Sequence, residues 1–398
     1  MDTTISRRAA LARLAAIGVT IPTLSAATPH QAGATPPASP GPEAATPAAG
    51  PAPLTHRGIN YDVGTEPAPG ITTRPDSNRA FLAPEFETIR NDLHCTTAGI
   101  FGDDVERLIE GATAAVNTGL HARLQPRLID ASIEETLSTL ADLGEAAEQL
   151  NTGETEIILD LGCELSLFAV GIIPGDTFDE RLTYLVENLD QLPEFNDRLG
   201  AMLDNAITQA RASFSGRLVY SSGSWEEVDW SGLDIVGVDL YRDESNAATY
   251  VDTLRAYLQH GKPVWITEFG CCSYEGAEDL GGNAYNIVNW NVEPPQLNGD
   301  YTRSESVQKD YILDLLDIFE QEGVDGAFVY QFIEPILPHS TDPQYDLDMA
   351  AYSIVKVYGP DSDQPYESTG YWEPKEAFDA LAARYEPGNN QAGATPSA

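Results

Sequence analysis

Between residues 55 and 387 the chain alternates short apolar, β-branched runs with longer stretches whose apolar residues recur at helical spacing. This alternation constrains the fold more than any other feature, because strands that alternate with helices build βα units and a parallel sheet. Eight strands are expected, over 57–62, 95–102, 122–128, 156–161, 217–221, 234–240, 263–267 and 327–332. Helical patterns follow over 105–118, 133–150, 178–189, 193–212, 247–258, 304–322 and 374–385. In the first of these, Val105, Leu108, Ile109, Ala112 and Val116 form one apolar stripe. An open doubly wound sheet would need a glycine-rich phosphate turn after its first strand, and Gly58-Ile-Asn-Tyr-Asp-Val-Gly64 is not one. The expected fold is therefore α/β, a closed (β/α)8 TIM barrel forming a single domain over 55–387.

The flanks read differently. Ser6-Arg7-Arg8, an apolar stretch over 9–27 and the small residues Ser25-Ala26-Ala27 make residues 1–27 a twin-arginine export signal. Arg13 and Pro22 interrupt the run, which falls short of the ~20 apolar residues that span a bilayer. Residues 28–54 are nearly all Ala, Pro, Gly, Thr and Ser, a composition with nothing to bury, and 388–398 has the same character. Both are expected to be disordered, and the chain to be secreted or held at the cell surface with no stable membrane insertion once the signal is removed. With 62 acidic against 22 basic residues and a net charge of −40, the surface repels nucleic acid and anionic lipid. Such a surface suits a saline exterior that screens its self-repulsion.

In a closed barrel the strand C-termini converge on one mouth, where barrel enzymes keep their chemistry. Here those ends carry Asn60, Gln125, Arg127, Glu164, Trp225, Tyr241, Glu268 and Tyr330. Aromatic faces stack on sugar rings, while amides, a guanidinium and carboxylates bond hydroxyls, so the expected partner is an oligosaccharide or polysaccharide. Glu164 and Glu268 each directly follow a strongly apolar strand, where a carboxylate is costly unless used or satisfied. Strands four and seven face each other across the mouth, which lets the two flank a glycosidic bond, one as acid and one as nucleophile. The competing assignment pairs each glutamate with an arginine such as Arg127 or Arg242.

The segment Gly261-Lys-Pro-Val-Trp-Ile-Thr-Glu-Phe-Gly270 resembles strand seven of the clan A glycoside hydrolases, the cellulase- and mannanase-like barrels. The resemblance implies that Glu268 is the nucleophile, Glu164 the acid/base, and Tyr241 the tyrosine that bonds the nucleophile. Trp372-Glu-Pro-Lys-Glu-Ala-Phe-Asp-Ala-Leu381 is similar to the last helix of that clan. The Glu-Phe-Gly-Cys-Cys and Gly-Cys-Glu-Leu-Ser strings also resemble uncharacterised prokaryotic barrels labelled "abortive infection protein". The chain departs from the clan at Cys163, where an Asn usually bonds the sugar 2-hydroxyl. It departs again at Phe101-Gly102-Asp103, which lacks the clan arginine, and at Tyr330-Gln331-Phe332, which lacks the tryptophan. Arg127 and Gln125 are the candidates to replace the lost contacts.

Together with the export signal, the resemblance implies an exported retaining hydrolase of β-linked glycosides that needs no metal or organic cofactor. The alternative is a non-hydrolytic carbohydrate-binding barrel, or a defence-associated partner-binding protein, that has lost turnover. Cys163, Cys271 and Cys272 lie at the same mouth, and three states are open to them: a shared metal, a disulfide from Cys163 to Cys271 or Cys272, or packed thiols. Asp342, Asp346 and Asp348 near His339 form an acidic lid without the spacing of a calcium loop. His56, His94 and His121 sit near strand starts, the stability face of a barrel.

Overall fold

The computed structural model describes residues 52–66, 72–153 and 155–388. The export signal, most of the linker and the tail beyond Gly388 lie outside the described residues. Eight parallel strands close into one barrel: β1 (His56–Gly64), β2 (Thr97–Gly102), β3 (His121–Pro126), β4 (Ile157–Cys163), β5 (Arg217–Ser222), β6 (Val236–Asp239), β7 (Val264–Phe269) and β8 (Gly326–Val329). Each neighbours the next in sequence, and β8 pairs with β1 to complete the ring, Ile59 lying opposite Val329. The expected (β/α)8 barrel is the observed fold.

The helices are α1 (Leu82–Asn91), α2 (Val105–Asn117), α3 (Ile133–Leu150), α4 (Phe178–Glu187), α5 (Leu192–Ser213), α6 (Tyr250–Leu258), α7 (Glu305–Glu322) and α8 (Glu376–Tyr385). Their starts follow local chemistry. Ser132 caps α3 by accepting from the Glu135 amide, and Thr177 and Glu180 cap α4 reciprocally. The sequence pattern does not reveal α1, whose buried face includes Glu85 beside Phe86 and Ile89 and so breaks the apolar stripe. The packed chain also begins before residue 55, since Leu54 is buried and the Ala52 amide donates to the Glu320 carbonyl. Among the described residues no helix is long and apolar enough to cross a membrane.

Inside the barrel the side chains form layers. Ile158, Val219, Ile235, Trp265 and Phe328 make an apolar cluster separate from the larger core between sheet and helices. Above it lies a polar layer. Arg123 donates to Asp160 and Ser221, each at 2.8 Å, and to Asn60 at 2.7 Å, while its guanidinium sits 4.6 Å from the centre of the Phe328 ring. A side chain at Gly99 would collide with this layer, because a Cβ there would stand 2.2 Å from Asn60 Oδ1 and 2.8 Å from Arg123 Nη2. The glycine in β2 thus makes room for a buried arginine, and Asp160 supplies its counter-charge at 0% exposure.

The long connections after β7 and β8 fold over the mouth. Tyr274, Tyr285 and Trp290 of the first are buried, and Tyr352 of the second donates to the Gly281 carbonyl at 2.9 Å. The acidic lid is not solvated throughout. Asp346 and Asp348 are buried against Arg303, and Asp348 also accepts an ion pair from the fully buried Lys375 at 2.9 Å.

Candidate active site

The C-terminal end of β4 departs from regular strand geometry before delivering Glu164. Its register against β5 shifts between Asp160 and Cys163. Gly162 has φ +142°, a conformation in which a Cβ would also meet Leu165 at 2.8 Å. Glu164 itself is left-handed, with φ +43°, a costly state for a residue other than glycine. Its amide donates to the Ser221 carbonyl at 2.9 Å, and a single helical turn, Leu165–Phe168, follows it. The side chain is 2% exposed, and Glu164 Oε2 has no hydrogen-bond partner. The carboxyl is held well above the usual glutamate range, first by burial and then by the charges of Asp239, Glu268 and Glu226, with Arg127 opposing.

Glu268, on β7, is as deeply buried but differently satisfied. Arg127 Nη2 donates to its Oε1 in an ion pair whose members are each 1% exposed, and the Tyr241 hydroxyl donates to its Oε2 at 3.2 Å. Arg127 is held in turn by Gln125 Oε1, which accepts from its Nε at 3.0 Å, and by Phe101, whose ring centre is 4.0 Å away. Arg127 Nη1 is buried without a partner. Arg242 pairs with Asp314 and reaches neither glutamate.

Asp239, at the end of β6, lies opposite Glu268 in the sheet register. It accepts from the Thr267 hydroxyl at 2.7 Å and from the Cys163 thiol at 3.3 Å, and that thiol is 3.9 Å from Glu268 Oε1. Burial, followed by the Glu268 charge, raises the Asp239 carboxyl well above its ordinary range. The mouth therefore holds three carboxyl groups, and the charges of Asp239 and Glu268 both push the Glu164 carboxyl up. Sequence reasoning singled out Tyr241 at this strand end and gave Asp239 no role. Only the pairing of β6 with β7 brings it beside the nucleophile candidate, and no local sequence signal marks it.

Not every expected site residue faces the mouth. Asn60 and Gln125 belong to the polar layer beneath it. Asn60 donates to the Thr267 carbonyl at 2.9 Å and accepts from Arg123, while Gln125 donates to Asp160 at 2.8 Å. Trp225 is 8% exposed and donates through Nε1 to Ser166 Oγ at 3.0 Å, so it walls the turn after Glu164. Tyr330 is buried, stacked 5.8 Å from Phe101 and edge-on to Tyr352, and the peptide joining it to Gln331 is cis. Glu164, Arg127, Tyr241, Glu268 and Tyr330 are thus gathered into one constellation, and Asn60, Gln125 and Trp225 support it.

The cysteines take the third of their open states. All four are buried and free, and Cys272 donates to the Ala350 carbonyl at 3.1 Å instead of meeting Cys163. Ligand atoms of Cys163, Asp239 and Glu268 lie within 4.8 Å of one another, close enough to share a cation. The Arg127 guanidinium already supplies positive charge there.

No family model matches the chain, and no curated protein matches it. Among solved structures, a GH113 β-1,4-mannanase in complex superposes with a TM-score of 0.52 at 13% identity, over 84% of this chain and 99% of the mannanase. A second GH113 β-1,4-mannanase structure gives 0.52 at 14% identity with the same coverage. At such identity the likeness is one of fold alone, a (β/α)8 barrel, and it lends no support to the abortive-infection label.

Proposed function

We propose that the chain is a retaining glycoside hydrolase of β-linked glycosides, with Glu268 as nucleophile and Glu164 as acid/base. The observation that carries this reading is the asymmetry of two buried carboxyls at one barrel mouth. Glu268 is ion-paired with Arg127, whereas Glu164 has no cationic partner, and burial and like charge favour its protonated form. Divergent environments of this kind assign an acid and a nucleophile.

In the first step Glu268 Oε attacks the anomeric carbon as Glu164 gives its proton to the departing oxygen, leaving a glycosyl ester on Glu268. That transfer turns Glu164 into the base that deprotonates water, and the water then breaks the ester with retention. Tyr241 and Arg127 hold the nucleophile in place. The unpartnered Arg127 Nη1 and the protonated Glu164 Oε2 are the donors left for the sugar and its leaving oxygen. Gluco-, galacto- and mannosides all suit this set. The mannanase neighbours make β-1,4-mannan oligosaccharides the first substrates to try. Residues 1–27 would direct the chain out of the cell by the twin-arginine route, and replacing Arg7-Arg8 by Lys-Lys should leave it inside.

The test is hydrolysis of β-linked oligosaccharides and aryl glycosides by the mature protein, with the first-formed anomer read by NMR. Retention, with turnover abolished in Glu268→Gln and restored by azide as the β-glycosyl azide in Glu164→Ala, is the expected result. An inverted product would remove Glu268 as nucleophile. Binding without any turnover would favour the second reading, a carbohydrate-binding barrel, which rests on the thiol of Cys163 standing where the clan usually has an amide.

A further inference from the structure

The turn that carries Glu164 is clamped by a carboxyl group with no part in the proton transfer. Glu226 lies in the loop after β5, is 7% exposed, and receives three donors on its two oxygens. The Ser166 amide donates to Oε1 at 3.0 Å, and the Gly223 amide and the Tyr220 hydroxyl donate to Oε2 at 3.0 and 2.7 Å. The direction of the Tyr220 bond is fixed, because the Leu165 amide donates to the same hydroxyl at 2.8 Å. Leu165 and Ser166, the two residues that follow Glu164, are thereby fastened to the end of β5. Trp225 adds a third tie through Ser166 Oγ. These bonds oppose relaxation of the left-handed Glu164 backbone.

We infer that Glu226 is a positioning residue for the acid/base: its carboxylate locks the Glu164 turn by accepting all three donors. The inference rests on the glycosidase reading for what Glu164 does, though not for how it is held. Only a carboxylate can serve, since an amide would set its own N–H groups against one of these donors. Burial raises the Glu226 carboxyl, and hydrogen bonding from the Ser166 side chain, the Tyr220 hydroxyl and the Ser166 and Gly223 amides opposes that rise by favouring the charged form. Charge held there in turn acts on Glu164, together with Asp239 from β6, Glu268 from β7 and Arg127 from the end of β3. Cys163 adjoins it in the chain, and Tyr285 of the lid faces it.

The experiment is a carboxyl-carbon NMR titration of the mature chain, with Glu164 assigned by its absence in Glu164→Gln. In Glu226→Gln the Glu164 titration should move down, because a like charge is gone and the turn is released. An unmoved Glu164 signal in a folded Glu226→Gln protein overturns the inference. Tyr220→Phe is the milder companion, and it decides the matter if Glu226→Gln fails to fold. It should slow glycosides with poor leaving groups by roughly tenfold or more, and activated aryl glycosides far less, as a weakened general acid does. Equal slowing of both would mean that the clamp is merely structural. If the wild-type chain hydrolyses nothing, the glycosidase reading fails alone, and the titration still settles how Glu164 is held.

Discussion

Replacing Arg127 by Met tests the central electrostatic argument directly. The Arg127–Glu268 pair is 1% exposed on each side, and removing one partner of such a pair typically costs about 3–5 kcal/mol, chiefly by stranding the other charge. Loss of the guanidinium over Phe101 adds about 0.5–2 kcal/mol, and packing of the Met side chain offsets part of it. A net loss of about 4 kcal/mol is expected for Arg127→Met. Glu268→Gln strands the cation instead, but the Asp239 carboxyl, freed from the Glu268 charge that raises it, can then ionise near Arg127, so about 1–2 kcal/mol is expected there. The double variant leaves neither charge unpaired and should lose only about 2–3 kcal/mol, well short of the sum of the single losses.

Urea unfolding of the four proteins, followed by tryptophan fluorescence, gives the cycle. A coupling of about 3 kcal/mol is the expected outcome. Additive losses, within about 0.5 kcal/mol, would refute the claim that the Arg127–Glu268 ion pair is energetically coupled. Arg198→Met serves as the control, because its partner Glu194 is 59% exposed and the loss should stay below about 1 kcal/mol.

Other outcomes follow from the same structure. Asp348→Asn should lower stability by about 3–5 kcal/mol in the same assay, since it strips the buried Lys375 and Arg303 of a shared counter-charge. Burial lowers the His56 imidazole from 6.5 to about 4, so the folded state prefers it neutral. Its contribution is complete above pH 6.5 and is lost as pH falls towards 4, by about 3 kcal/mol in all. His56→Gln should flatten the stability curve in that window, and an equally steep acid loss in the variant would contradict the assignment. With a net charge of −40, the melting temperature should rise as sodium chloride is raised to about 1 M, where the screening length falls to ~3 Å, and a flat response would exclude self-repulsion as a significant load.

The parts of this molecule legible in its sequence are those written as periodicity. The alternation of apolar runs and helical stripes locates all eight barrel strands to within a few residues, because strand and helix each bury a face with its own spacing. Glu164 and Glu268 were legible because a carboxyl ending an apolar strand breaks that periodicity visibly. What stayed hidden depends on pairing across the barrel. Arg123 reads as an ordinary strand residue until Asp160, Ser221 and Asn60 are brought around it by three other strands. Once they are, Asn60 and Gln125 belong to the support beneath the mouth.

Asp239 and Glu226 were hidden for the same reason. Nothing in the local sequence marks Asp239 as the neighbour of Glu268, which only the β6–β7 register decides, nor Glu226 as the anchor of a turn some sixty residues earlier. These two groups nevertheless do much to separate the two glutamates. Both lie on the Glu164 side of the charge balance, where they favour its proton, while Arg127 is bonded to Glu268. The division of labour between acid and nucleophile is thus a property of how five strand ends are arranged around the mouth. A substitution at Asp239 or Glu226 should disturb the acid while leaving the Arg127–Glu268 ion pair intact.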